Sequence, residues 1–300
     1  MSDIKIVVVG GAGMLGHKMF QILRNSFPGT VCTTREDVRR TPFERVELLQ
    51  GDDVIRGVDV MDFDRLHGVL KDIKPDFIVN CVGIVKQRQE AQMAVPSIAI
   101  NSLLPHKLAA FAAEWGGRVI HPSTDCVFDG KCGSYTEADD SSAEDLYGKS
   151  KFLGELHCEN GLTLRTSIIG RELVEHRSLL DWFLAQKGKT VRGFSRVIYS
   201  GVTTNQLADV VSMVIRQFPD LSGLYQVVSD PISKHDLLCL LRDAYKMDVT
   251  IVRDDNEVSD RSMKGDKFHK ATGYVSPSWP ELVGRLANDE TPYRSWINWP

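Results

Sequence analysis

The sequence predicts an α/β protein whose larger, N-terminal part is a doubly wound parallel sheet and whose smaller C-terminal region covers it. Three observations lead there. Short, almost continuously apolar, β-branched runs alternate with longer amphipathic stretches through the first half. A glycine-rich turn stands directly between the first such run and the first helical stretch. After about Gly170 the alternation loosens, so residues 1–170 read as one domain and 171–300 as a smaller region partly interleaved with it.

Each element has its own warrant. Ile4 to Val9 fits a buried strand, and Met14 to Arg24 a helix. Thr30 to Thr34 reads as a second strand. Arg35 to Asp53 is polar and irregular, a surface excursion before a third strand from Ile55 to Val60. Between Asp62 and Ile73 the apolar residues Phe63, Leu66, Val69, Leu70 and Ile73 recur at helical spacing on one face. Pro75-Asp76 breaks that helix and starts a strand, Phe77 to Val82. A helix from Ser97 to Trp115, a strand from Arg118 to His121, a helix from Tyr147 to Glu159 and a strand from Leu162 to Ile168 complete the first domain. Beyond it lie helices at Leu179 to Lys187, Asn205 to Gln217 and Ser233 to Lys246, a short strand at Gly223 to Val228, and a Trp- and Pro-rich cap from Ser276 to Pro300. Aromatic residues near a terminus usually tie it down, so Trp279, Trp296 and Trp299 read as docking groups.

Composition excludes several classes. The 300 residues are 42% hydrophobic and carry a net charge of −4 with both signs interspersed, so nothing marks a nucleic-acid backbone or an anionic membrane as partner. No apolar run approaches a membrane-spanning length, and Met1-Ser2-Asp3 leads into no secretory pattern. The six cysteines are scattered and form no C-x-x-C pair, which argues against zinc and against a disulfide framework. A reduced, cytoplasmic compartment and no metal are the expectation.

The chemistry begins at Gly10-Gly11-Ala12-Gly13-Met14-Leu15-Gly16. Gly10 and Gly13 permit a tight turn and a close approach of backbone to a pyrophosphate. Gly16 lets the helix pack on the sheet, and the N–H groups around Met14 and Leu15 open the helix toward an anion. This strand–turn–helix context makes the motif a dinucleotide fingerprint of the Rossmann kind. An acid that holds a ribose diol belongs at the end of the second strand, where the chain has Thr34-Arg35. A hydroxyl and a guanidinium suit a 2′-phosphate better, so NADP is favoured, with NAD as the alternative because Glu36 and Asp37 follow.

Tyr147-Gly148-Lys149-Ser150-Lys151 is Y-x-x-x-K on a helix, which places phenol and ammonium on one face. A neighbouring ammonium lowers a phenol's pKa and suits Tyr147 to proton transfer with a carbonyl oxygen. The strand upstream ends His121-Pro122-Ser123-Thr124-Asp125-Cys126, bringing a hydroxyl to the same edge.

In this combination the chain resembles the extended short-chain dehydrogenase/reductase superfamily, and within it the dTDP-4-dehydrorhamnose reductase-like group. The carriers are Gly10 to Gly16, Asn80-Cys81-Val82-Gly83, Ala99-Ile100-Asn101, Ser123 to Gly130, Tyr147 to Lys151 and Leu164 to Ser167, with Gly201 to Thr204 adding weakly. The resemblance implies Thr124, Tyr147 and Lys151 as catalytic residues. It also implies Asp59 and Val60 beside the adenine, Cys81, Val82, Gly83 and Asn101 along the cofactor, and Lys151 on the nicotinamide ribose. The implied activity is reduction by NADPH of a nucleotide-activated 4-keto-6-deoxy sugar for surface polysaccharide or glycoconjugate synthesis. A homodimer is compatible with the fold.

The chain departs from the group's pattern at Cys126, where Tyr is usual, and at Ile168, where Trp is usual. Both positions are expected to border the sugar together with Asp125. Cys126 matches a proton-transferring cysteine in the GDP-fucose synthase branch, which also needs a histidine, and His176 is nearby. An epimerase or epimerase-reductase using Cys126 is therefore one alternative, and a packing thiol is the preferred reading. Cys126 stands where a sugar 4,6-dehydratase has Glu, which counts against dehydration. Lys86 and Arg196 are candidates for the substrate diphosphate. The other alternative is a non-catalytic, NADP-binding regulatory subunit, since the β subunit of methionine adenosyltransferase resembles the same group.

Overall fold

The computed structural model describes residues 4–40, 42–85, 92–174 and 176–296. Its strands are β1 (Ile6–Val9), β2 (Thr30–Thr33), β3 (Val54–Ile55), β4 (Phe77–Asn80), β5 (Arg118–Thr124), β6 (Gly161–Thr166), β7 (Ile168–Ile169), β8 (Thr190–Tyr199), β9 (Val202–Thr203), β10 (Gly223–Gln226), β11 (Ile232–Ser233) and β12 (Thr250–Asp260). Seven of them form one all-parallel sheet in the order β3-β2-β1-β4-β5-β6-β10. Strand order reverses at β1, so a crevice opens at the carboxyl ends of β1 and β4, where ligands of such sheets bind.

The continuous apolar reading of β1 follows from burial on both faces. Ile6 and Val8 pack toward α1 (Met14–Ser26) and the later helix at Thr204–Gln217, with Phe20, Leu207 and Val211. Val7 and Val9 face the other way, toward Leu66 and Leu70 of α2 (Phe63–Ile73) and toward Leu104 and Leu108. Each such side chain, fully removed from water, contributes about 1.5–3 kcal/mol. Helix α2 starts where the Asp62 carboxylate accepts from Arg65 N at 3.0 Å. It ends with Lys74 in the left-handed region, just before Pro75.

Residues 94–113 form one helical stretch: α3 (Ala94–Ser97), a π-helical turn at Ile98–Leu103, and α4 (Leu104–Ala113). The turn carries Asn101, and such bulges commonly aim a side chain at a functional site. Helix α5 (Leu146–Leu153) is capped by Asp145, whose carboxylate accepts from Gly148 N at 2.8 Å. It stops well short of the expected Glu159. Gly154 passes so close to the Asn101 carbonyl that any side chain there would overlap it. The third strand ends at Ile55 rather than Val60, because Gly57 turns the chain with φ +69°. Strand β5 runs on through Pro122 to Thr124. Pro122 lies past the last residue paired with β4, so its missing N–H interrupts only the free side of the strand.

The second half returns to the first. Strand β10 closes the large sheet beside β6, and α7 (Thr204–Gln217) packs on α1. Between them α6 (Leu179–Leu184) precedes β8, which pairs with β11 antiparallel and with β12 parallel. The pattern of the sequence marks neither β8 nor β12 as a long strand. Helices α8 (Lys234–Ala244), α9 (Asp266–Thr272), α10 (Trp279–Ala287) and α11 (Tyr293–Trp296) follow. Trp279 and Trp296 are buried, and Trp279 Nε1 donates to Asp230 O at 2.7 Å; Trp299 lies outside the described residues. The tail is anchored on α1 by Lys18 to Asp289 at 2.7 Å and by Tyr293 Oη to His17 Nε2 at 2.8 Å. Among the described residues no helix is long and apolar enough to cross a membrane.

Candidate functional site

A cleft of about 660 Å³ opens at the carboxyl ends of β1, β4, β5 and β6. One wall comes from residues 13–15, 80–85, 122–126, 166–169, Tyr147 and Lys151. The facing wall comes from residues 177–179 and 197–199, Glu172, Trp182, Lys234, Ser259 and Arg261.

The glycine turn is built as a cradle. Gly10 has φ +89°, and Gly11 N donates to Thr33 O at 2.8 Å, which ties the turn to the end of β2. A Cβ on Gly16 would overlap the Gly10 carbonyl. No side chain caps α1 at Gly13, whose N–H donates to Gly10 O at 3.1 Å, so the first-turn N–H groups of Met14 and Leu15 remain for an anion at the cleft. This donor set fits the pyrophosphate of a dinucleotide. At the end of β2, Thr34 is buried and its hydroxyl donates to Glu36 O at 3.0 Å. Arg35 is 66% exposed and pairs with Glu36, leaving its guanidinium at the surface beside the turn. Asp59 is exposed and accepts from Met61 N at 2.9 Å, and Val60 is buried next to it.

Thr124, Tyr147 and Lys151 meet on one wall. The Tyr147 phenol lies beside the Thr124 hydroxyl and the Cys126 thiol. Thr124 Oγ1 also donates to Asp125 Oδ1 at 3.1 Å and accepts from Cys126 N at 3.1 Å. Burial pushes the Tyr147 phenol well up, and the nearby thiol adds to this; the Thr124 hydroxyl offsets only part of it. The lowering expected from Lys151 is thus not what the geometry produces. Lys151 Nζ turns away from the phenol, donating to Pro122 O at 2.8 Å and lying 3.3 Å from His121 Nε2. Burial brings the Lys151 ammonium down to about 8. Burial also raises the Asp125 carboxyl and the Cys81 thiol.

Several expected contacts are placed elsewhere. Asn101 does not line the cleft. Its Oδ1 accepts from Ile84 N at 2.9 Å, and its Nδ2 donates to Ile84 O and to Ser150 Oγ, each at 3.1 Å. Its amide is thereby used up holding the 81–85 segment against α5. Arg196 is exposed on β8 and is not among the cleft residues; the strand turns Val197, Ile198 and Tyr199 there instead. Lys86 lies outside the described residues. His176 sits 3.5 Å from Asp181 and is not part of the lining, so the cleft does not present it to Cys126.

Among the described residues the cations that face the cleft besides Lys151 are Arg177, Lys234 and Arg261, none of them singled out by the sequence. Arg261 is oriented by donating Nε to Phe128 O at 2.9 Å. Tyr199 adds a buried hydroxyl with no protein partner. The one signal that pointed there is Trp182, a large aromatic left 39% exposed. Tyr199 ends β8, Arg261 follows β12, Arg177 precedes α6 and Lys234 opens α8, so the group is assembled from four separate places in the chain.

A doubly wound parallel sheet, a glycine cradle at its switch point, and a Thr-Tyr-Lys wall define the fold and site of an extended short-chain dehydrogenase/reductase. The chain belongs to the family described by the RmlD substrate binding domain, which matches residues 4–290. It is 27% identical to "Methionine adenosyltransferase 2 subunit beta" of Mus musculus over 99% of this chain and 87% of that one. It is 25% identical to "dTDP-4-dehydrorhamnose reductase" of Salmonella typhimurium over 76% of this chain and 85% of that protein. Among solved structures, dTDP-4-dehydrorhamnose reductase of Bacillus anthracis in complex with NADP superposes with a TM-score of 0.78 at 18% identity, covering 95% of this chain and 98% of that one.

Proposed function

We propose that the protein reduces the keto group of a nucleotide-activated 4-keto-6-deoxy sugar with NADPH. The observation that carries this reading is the convergence of Thr124, Tyr147 and Lys151 on one cleft wall beside the glycine cradle. Residues 1–170 hold the dinucleotide, and residues 171–300 supply the wall that faces the sugar nucleotide. NADPH, when bound, supplies a hydride to the keto carbon. Burial keeps the Tyr147 phenol protonated at neutral pH, which makes it a proton donor to the carbonyl oxygen rather than a base. Thr124 stands beside the phenol and helps orient that oxygen. Lys151 is charged below about pH 8, and at the cleft it is placed to hold the nicotinamide ribose rather than the phenol. Arg177, Lys234 and Arg261 suit the diphosphate, and Cys126 and Ile168 leave more room by the sugar than Tyr and Trp would.

The kinship with methionine adenosyltransferase β subunits favours a second reading, a dinucleotide-binding subunit that catalyses nothing itself. One experiment separates the two: NADPH oxidation with a panel of 4-keto nucleotide sugars, beside direct titration of NADPH. Turnover of any member supports the reductase. NADPH binding with no turnover across the panel overturns it in favour of the subunit.

A further inference from the structure

His121 is a fully buried histidine that the proposed chemistry leaves unused. Its Nε2 lies 3.3 Å from Lys151 Nζ and its Nδ1 lies 3.1 Å from Asn80 Nδ2, both contacts buried. Asn80 Oδ1 accepts from Val82 N at 3.2 Å, within the segment that lines the cleft. A hydrogen-bonded chain therefore runs Val82–Asn80–His121–Lys151, from the cofactor side of the cleft to the lysine.

The chain has two consistent proton orders. With Asn80 Oδ1 on Val82 N–H, Nδ2 donates to His121 Nδ1, the ring proton sits on Nε2, and that N–H donates to a neutral Lys151 amine. An ammonium has no lone pair, so facing Nε2–H it leaves one buried donor without an acceptor, at a cost of about 1–3 kcal/mol. Charged Lys151 is satisfied when the ring proton moves to Nδ1, Nε2 accepts from Nζ, and the Asn80 amide turns its oxygen to the ring. Pro122 O accepts from Nζ in either state, which leaves one N–H for the cleft.

We propose that His121 is the proton-ordering partner of Lys151, a positioning residue whose two ring tautomers satisfy the neutral and the charged lysine in turn. The inference rests on the catalytic reading of Lys151 for its consequence, since turning Asn80 releases Val82 N–H and so links the lysine's charge to the 81–83 segment. The ring itself stays neutral, because burial and the charges of Lys151 and His106 all oppose its protonation. The other groups acting on Lys151 are the Glu155 carboxylate and the buried Cys81 thiol, both of which favour the charged form.

The test is a long-range ¹H–¹⁵N spectrum of histidine-labelled full-length protein, with His121 assigned from His121→Gln and from the shift caused by Asn80→Asp. Between about pH 6.5 and 9.5, where Lys151 loses its proton, the expected ring changes from Nδ1–H to Nε2–H. Asn80→Asp replaces the amide by a pure acceptor, so the ring is expected to stay Nδ1–H throughout. The upper limb of turnover should then move up by about one pH unit, about a fivefold gain one unit above the wild-type limb. A wild-type ring that keeps one tautomer across the range overturns the proposal. The spectrum needs no substrate, so a switching ring alongside a Tyr147→Phe variant of unchanged turnover upholds the proposal and sinks the catalytic reading instead.

Discussion

The wall formed by the glycine turn, β4, β5 and α5 ties most of its polar side chains into hydrogen-bonded networks, whereas the wall formed by residues 177–182, 197–199 and 259–261 presents cations and one unpartnered hydroxyl. Behind the first wall Asn101 spends its amide on Ile84 and Ser150, and on it Thr124 bonds to both Asp125 and Cys126 N. On the second, Tyr199 Oη is buried without a protein partner, and a hydroxyl so placed is complete only with a ligand or water. The difference teaches where precision resides. Proton transfer needs groups held to a fraction of an ångström by their surroundings, while recognition of a flexible diphosphate needs charge on side chains able to follow it.

The largest expected effect breaks the first wall. Tyr147→Phe removes the positioned proton donor and should lower kcat by about 10²–10⁴-fold with NADPH affinity near wild type. Steady-state kinetics with a separate NADPH titration check this, and unchanged kcat would remove Tyr147 from the mechanism.

On the second wall Lys234→Met should act through KM. Loss of one charge-assisted contact to a diphosphate is expected to raise KM for the sugar nucleotide by about 10- to 100-fold, with kcat changed far less. An effect confined to kcat would place Lys234 among the reacting groups and blur the contrast between the walls.

A third outcome concerns the anchor behind the glycine turn. His17 Nδ1 donates to Gly13 O at 2.9 Å and its Nε2 accepts from Tyr293 Oη. Burial, first, lowers the ring to about 4 from an ordinary 6.5. The unfolded chain therefore binds the extra proton between those values, and the stability is present above pH 6.5 and lost as pH falls toward 4. Urea melts should show about 2 kcal/mol less stability at about pH 5 than at about pH 7, most of it absent in His17→Asn. Equal losses in both proteins would assign the acid sensitivity elsewhere.

The smallest effect sharpens cofactor choice. Arg35 is exposed, so its contact with a 2′-phosphate is screened, and Arg35→Ala should weaken NADPH by about three- to tenfold while sparing NADH. Equal weakening of both, or tighter wild-type binding of NADH, would remove the assignment to NADP.

Legibility differed between the walls for the same physical reason. The glycine turn and the Y-x-x-x-K helix were readable because each is local: a few residues at fixed spacing dictate where an N–H or a phenol points. At Thr124 the residues alone offered only a hydroxyl beyond the expected strand, and it was the resemblance to the reductase group that singled out this one. Arg196 misled because it is the end of β8, from Val197 to Tyr199, that reaches the cleft, and the register that seats the strand is set by β11 and β12 rather than by its own residues. Strand β12 carries Arg253, Asp254, Asp255, Asn256 and Glu257, a composition that reads as loop and suits an edge strand facing water.

By itself the sequence determined the doubly wound sheet, the dinucleotide cradle and the identities of the hydroxyl, phenol and lysine on one wall, since apolar periodicity and short-range spacing carry that information. Only the tertiary structure decided that β10 returns to close the sheet and that Arg177, Lys234, Arg261 and Tyr199 form the opposing wall. It also decided that Lys151 turns toward Pro122 and His121, so that burial raises the Tyr147 phenol. These outcomes depend on contacts between residues far apart in the chain and on how much water each group loses, and neither is written in local spacing.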